Sequence, residues 1–89
     1  MPEFRWNDWN VRHVGEHGID PGDVEYVIRQ AQPPYPSYEG NGKWMVRGQT
    51  LSGSFLQVIY IIDADRSLYV VHARRLNPRE KRNLKRRRR

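Results

Sequence analysis

His72 and Arg74 stand two residues apart in Leu68–Arg74, a run whose apolar residues predict a β-strand. Alternate residues of a strand project from one face, so an imidazole and a guanidinium emerge together. That pairing suits phosphate chemistry. An imidazole, with an unperturbed pKa of about 6.5, both gives and takes protons near neutral pH. A guanidinium binds two phosphate oxygens at once and keeps its charge. On strict alternation the same face carries Leu68 and Val70, which makes the opposite face the exposed one.

Other residues add to this pair, and each has a plainer reading. His17 stands beside Gly18 at an expected helix end. It can transfer protons there, or simply donate to the last helix carbonyls. Lys43 follows a turn and is exposed, either gripping phosphate or solvated. Glu80 can act as an acid or as a helix-capping residue. Tyr60, inside an apolar strand, reads as core. His13-Val14-Gly15-Glu16-His17 matches an inverted zinc-protease pattern, with both histidines on one helix face. Gly15 weakens that helix and no third ligand is evident nearby, so neither metal nor cofactor is expected. Tyr35 and Tyr38, between Pro and Gly residues, are the aromatics best placed to stack on bases; Trp6, Trp9 and Trp44 read more simply as core.

The elements that must position these groups follow from local signals. Asn7 or Asp8 offers an N-cap, and Trp9, His13 and His17 recur at helical spacing until Gly18. Asp20 caps a second helix, with Pro21 at its first position and Val24, Val27, Ile28 and Ala31 forming one apolar stripe. Pro33-Pro34 stops it. Glu3–Trp6 and Tyr35–Glu39 are candidate short strands, and Asn41-Gly42 is a hairpin-turn dipeptide. Lys43–Gly48, Phe55–Ile62 and Leu68–Arg74 then read as an antiparallel meander. Phe55–Ile62, nearly all apolar, is expected at the centre, covered on both faces. Asn77-Pro78-Arg79-Glu80 opens a last helix running to about Lys85. The expected fold is a single α+β domain over residues 1–85. It has two N-terminal helices, a sheet of three to four antiparallel strands and a basic C-terminal helix, with residues 86–89 as a basic tail.

Charge is distributed unevenly. The last 16 positions, from Arg74, hold ten basic residues and one acid, a charge of +9. The first 73 hold six basic and nine acidic residues, a charge of −3. A basic end on an acidic body points to a polyanion, most simply nucleic acid. Arg47, Arg75, Arg79, Lys81, Arg82 and Lys85 are the candidate contacts. A solvated tail is the plainer reading of Arg86–Arg89. The absence of cysteine excludes disulfides and thiolate chemistry, and fits a cytoplasmic protein. The longest apolar run, Val58–Ile62, is too short to cross a membrane.

The order Trp6…His17-Gly18-Ile19…Asp23-Val24-Glu25-Tyr26, Lys43…Gly48-Gln49-Thr50, Leu56-Gln57-Val58-Ile59-Tyr60, then Val71-His72-Ala73-Arg74…Arg79-Glu80 resembles the BrnT family. These are small toxin ribonucleases of type II toxin–antitoxin systems with a RelE/ParE-like fold. The likeness spans residues 6–82. It implies a metal-independent endoribonuclease, bacterial and cytoplasmic, that leaves 2′,3′-cyclic phosphate and 5′-hydroxyl ends. It also implies a cognate antitoxin as inhibitor and as partner in an oligomer. His17, Arg74 and Glu80 match positions of the family pattern, and Lys43 stands where that pattern usually has arginine. Glu16 replaces a lysine, Tyr69 an arginine and His72 a serine of that pattern. Two readings stand beside it: a non-catalytic RNA- or DNA-binding module, and a domain whose basic helix docks an acidic protein.

Overall fold

The structure, a computed structural model, describes residues 2–87. Met1, Arg88 and Arg89 lie outside the described residues, and with them half of the expected tail. The elements run β1 (Phe4–Arg5), α1 (Asp8–Gly15), α2 (Pro21–Arg29), β2 (Ser37–Tyr38), β3 (Lys43–Gln49), β4 (Phe55–Ile62), β5 (Leu68–Arg75) and α3 (Pro78–Arg87). The fold is α+β, as expected, but the sheet has five strands in the order β1-β5-β4-β3-β2. It is mixed, not purely antiparallel, because β1 pairs parallel with β5 at Leu68 and Tyr69. The expected strand at Glu3–Trp6 is thus present at Phe4–Arg5, and two residues carry no periodicity from which its parallel pairing could be read.

Local chemistry explains most boundaries. Asn7 caps α1 in a reciprocal box with Asn10, each side chain accepting from the other's backbone N–H at 3.1 and 2.7 Å. The helix ends at Gly15, earlier than expected. Gly18 follows at φ +69°, a left-handed turn that lets Ile19 N–H return to the Val14 carbonyl. His17 therefore lies in a turn beyond the helix. Asp20 caps α2 through the Gly22 N–H, with Pro21 at its start. Asn41 and Gly42 both take positive φ, the geometry of a tight hairpin. At the other end, α3 continues to Arg87, so Arg86 and Arg87 are helical.

The core lies on one sheet face. Val14 of α1 and Val24, Val27 and Ile28 of α2 pack on Val46, Leu56, Val58, Tyr60, Leu68, Val70 and Ala73. The expectation that β4 is buried on both faces fails in part. Leu56, Val58 and Tyr60 are buried against the helices, but Ile59 and Ile61 on the other face are only half-buried and Ile62 is exposed.

Asn10 ties α1 to the sheet. It is fully buried, and its Nδ2 donates to the carbonyls of Arg5 and Val70, both at 3.1 Å. It thus satisfies a β5 carbonyl beyond the point where β1 stops. Asn10→Ala removes the reciprocal half of the box and both side-chain bonds to strand carbonyls. We expect a loss of about 1.5 kcal/mol, read as a lower urea midpoint at unchanged slope.

Candidate functional site

Strand β5 does not alternate strictly. Tyr60 pairs with Val70, but Ile59 pairs with His72, so Val71 is an extra residue, a β-bulge. Leu68 and Val70 face the core before it; Ala73 is buried there after it. His72 and Arg74 are consequently on the opposite face, away from Leu68 and Val70. This corrects the expectation from strict alternation, and the cause is the one inserted residue.

The bulge delivers His72 to two other histidines. Its ring centroid lies 5.9 Å from that of His13 and 6.0 Å from that of His17. All three of the chain's histidines therefore meet at one place. His13 stacks on Trp9 at 4.8 Å, and its Nδ1 lies 3.4 Å from Glu16 Oε1. Trp9 in turn stacks with Tyr69, whose other neighbour is the Arg5 guanidinium, 3.9 Å from the ring centre. Burial holds the His72 pKa below its ordinary value, and nearby His13, His17 and Arg74 push it the same way. The ring is therefore neutral at pH 7, the form that accepts a proton. Its Nδ1 is buried and finds no hydrogen-bond partner in the protein.

The next row of the sheet is basic. Arg47, Gln57 and Arg74 lie side by side on β3, β4 and β5. Arg74 donates through Nη1 and Nη2 to Glu80 Oε1 and Oε2 at 2.8 and 2.7 Å. Arg47 donates to the same carboxylate at 3.1 Å, and both arginines reach Gln57 Oε1, at 2.9 and 3.2 Å. Glu80 also accepts from the Asn77 backbone, while the Asn77 side chain accepts from Glu80 N–H, which closes a capping box at the start of α3. These bonds lower the Glu80 pKa to about 2, with Arg74 the largest cause. Glu80 is thus an ionised carboxylate that orients two guanidiniums, a poor proton donor at neutral pH.

No family model, curated protein or solved structure matches this chain. The site is therefore read from its own chemistry.

Of the sequence candidates, His17, His72, Arg74 and Glu80 come together with Arg47. Lys43 does not. It lies on the same sheet face, but at the far end of β3, two strands from β5. Arg75 is turned to another task, its guanidinium donating to the carbonyls of His17 and Gly18. That clasp fixes the turn that presents His17. Lys81 and Lys85 lie over the Phe55 ring, at 6.0 and 5.3 Å from its centre, and Arg79 and Arg82 are exposed along α3. Tyr38 packs on Trp44 and accepts from Gly42 N–H, which commits it to the hairpin. Trp9, expected in the core, is 54 % exposed.

His13 joins the cluster although its sequence context suggests a helix position and a zinc-ligand pattern but no role beside His72. Its four-residue spacing from both Trp9 and His17 was the available signal. Among the described residues no group of three or more His, Cys, Asp or Glu is arranged to hold a metal ion. No helix among them is long and apolar enough to cross a membrane.

Proposed function

We propose that this protein is a metal-independent endoribonuclease. The observation that carries the reading is the meeting of three histidines beside a paired-arginine row on one sheet face. Cleavage needs a base for the ribose 2′-OH, positive charge for the crowded phosphate and an acid for the leaving 5′-oxygen. Neutral His72 is suited to take the 2′-OH proton. The freed oxygen attacks phosphorus as the bond to the 5′-oxygen breaks. His17, exposed in its turn, is placed to deliver a proton to that leaving oxygen. The products are a 2′,3′-cyclic phosphate and a 5′-hydroxyl, with no water consumed. Arg74 and Arg47, pre-oriented by Glu80, stabilise the charge that develops on the non-bridging oxygens. The basic α3 gathers RNA electrostatically.

The BrnT resemblance supports the same chemistry. It adds to the proposal a RelE/ParE-like ancestry, a cytoplasmic toxin role and an inhibitory antitoxin that forms an oligomer with the chain. Arg5 over Tyr69 supplies a cation near the position where the family pattern carries an arginine. One observation favours the rival, a non-catalytic nucleic-acid-binding module: Glu80 already engages both guanidiniums, so a phosphate must share them.

The test is incubation of the protein with 5′-labelled RNA in EDTA. Cyclic-phosphate products should appear, and Arg74→Ala should reduce their rate by at least a hundredfold. Salt-sensitive RNA retention without cleavage would establish the binding module instead.

A further inference from the structure

A second concavity opens from the arginine row. It is a cleft of about 750 Å³ between α2, the loop that follows it, the β3–β4 turn and the end of α3. The volume lies in the range of small-molecule sites. Tyr26 and Tyr35 give it aromatic walls, Gln30 and Gln32 supply uncharged amides, and Arg47 and Arg87 supply two cations. No carboxylate lines it among the described residues. A cleft lined by two guanidiniums, one of them shared with Glu80, favours an anion. Aromatic walls and amides beside that charge match a nucleobase attached to a phosphate, since the amide group both donates and accepts.

Arg47 is the link to the reaction. Its guanidinium bonds Glu80 and Gln57 in the row next to His72, and the same residue lines the cleft. Arg47 and Arg74 are separated by one intervening strand, about 10 Å across the sheet. A strand of RNA with its phosphate at Arg74 therefore has a neighbouring nucleotide within reach of the cleft. We infer that this cleft is a subsite for a nucleotide flanking the scissile phosphate, and that it sets the base preference of cleavage. The inference rests on the ribonuclease reading but concerns residues that take no part in proton transfer.

The experiment separates the two. The four nucleoside 5′-monophosphates are titrated into the isotope-labelled full-length protein, followed by backbone amide shifts. Steady-state cleavage of a hexanucleotide is measured in parallel. Gln32→Glu places a carboxylate in the cleft at an exposed loop position, and circular dichroism checks its fold. The expected result is shifts at Tyr26, Gln30 and Tyr35, unequal among the four bases. These should weaken at least tenfold in Gln32→Glu, with the hexanucleotide KM raised at least fivefold and kcat within twofold. Shifts confined to His72 and Arg74 would overturn the subsite and leave the ribonuclease reading standing. Nucleotide binding in the cleft with an unchanged KM would overturn it too, marking a site for free nucleotide instead. Shifts at the cleft in a protein that cuts no RNA would remove the reaction and leave a nucleotide-binding cleft, which overturns the subsite as stated.

Discussion

His72→Ala should abolish RNA cleavage, with a loss of 10²- to 10⁴-fold in kcat, the range of general acid–base catalysis. His72 has its pKa lowered, by burial first and by neighbouring His13, His17 and Arg74 next, which favours its basic form. The acid limb of the wild-type rate profile should therefore climb with pH through a midpoint below 6.5. His72→Ala should lose that limb, whereas a purely structural role would leave the profile's shape intact. The sign for stability is the same. A histidine whose folded pKa is depressed binds fewer protons folded than unfolded. Its contribution is present above pH 6.5 and is lost as pH falls through the folded value. Removing His72 should therefore flatten the acid side of the stability curve while leaving neutral stability close to wild type. Urea denaturation at pH 5.5 and 7.5, alongside the cleavage profile, reads both.

Glu80→Ala should carry the largest stability cost. The carboxylate accepts from Arg74 twice, from Arg47 and from the Asn77 N–H, and it is mostly shielded from solvent. Its removal leaves two guanidiniums beside each other with only Gln57 between them, and a helix start that keeps the Asn77 cap but loses the reciprocal half of the box. Because the arginines are partly exposed, solvent screens some of the repulsion. A loss on the order of 2–3 kcal/mol remains, from the charged hydrogen bonds and the cap together. For a domain of this size that lowers Tm by roughly 10–20 °C. The pH dependence runs opposite in origin to that of a buried base. The Glu80 pKa falls from 4.5 to about 2, so its contribution is complete above 4.5 and disappears as pH drops toward 2. Glu80→Gln should remove this acid-side loss. If the wild type and Glu80→Gln melt in parallel between pH 5 and pH 2, the ion-pair account fails.

The fold was legible where a short stretch carries its own instructions. Asp20, Pro21 and the Val24–Val27–Ile28 stripe state a helix without outside help, and Asn41-Gly42 states a turn. The edge strands were legible only as the candidates Glu3–Trp6 and Tyr35–Glu39; their two-residue extent and their pairing depend on their neighbours' ladders. The candidate site was half legible. His72 and Arg74 stood out by residue type, and their spacing correctly put them on one face. Which face depended on the Val71 bulge, a matter of register against β4 that no property of Val71 announces. Arg47 and Glu80 are 33 residues apart in the chain, and nothing local ties a strand arginine to a helix cap. His13 was visible as a helix position and as part of a metal motif, but not as a neighbour of His72, which lies on a distant strand.

The bulge makes core and candidate site depend on a single count. From Leu68 to Arg74, one residue more or fewer would exchange the two sets of side chains, sending Ala73 outward and His72 into the hydrophobic layer. This segment can accordingly change residue by residue but not in length. Insertions and deletions tolerated in the Thr50–Ser54 or Asp63–Ser67 turns would here cost the core and the histidine cluster together. The strand thus acts as a reading frame for the sheet: substitutions alter single positions, whereas a frameshift changes the meaning of everything after it.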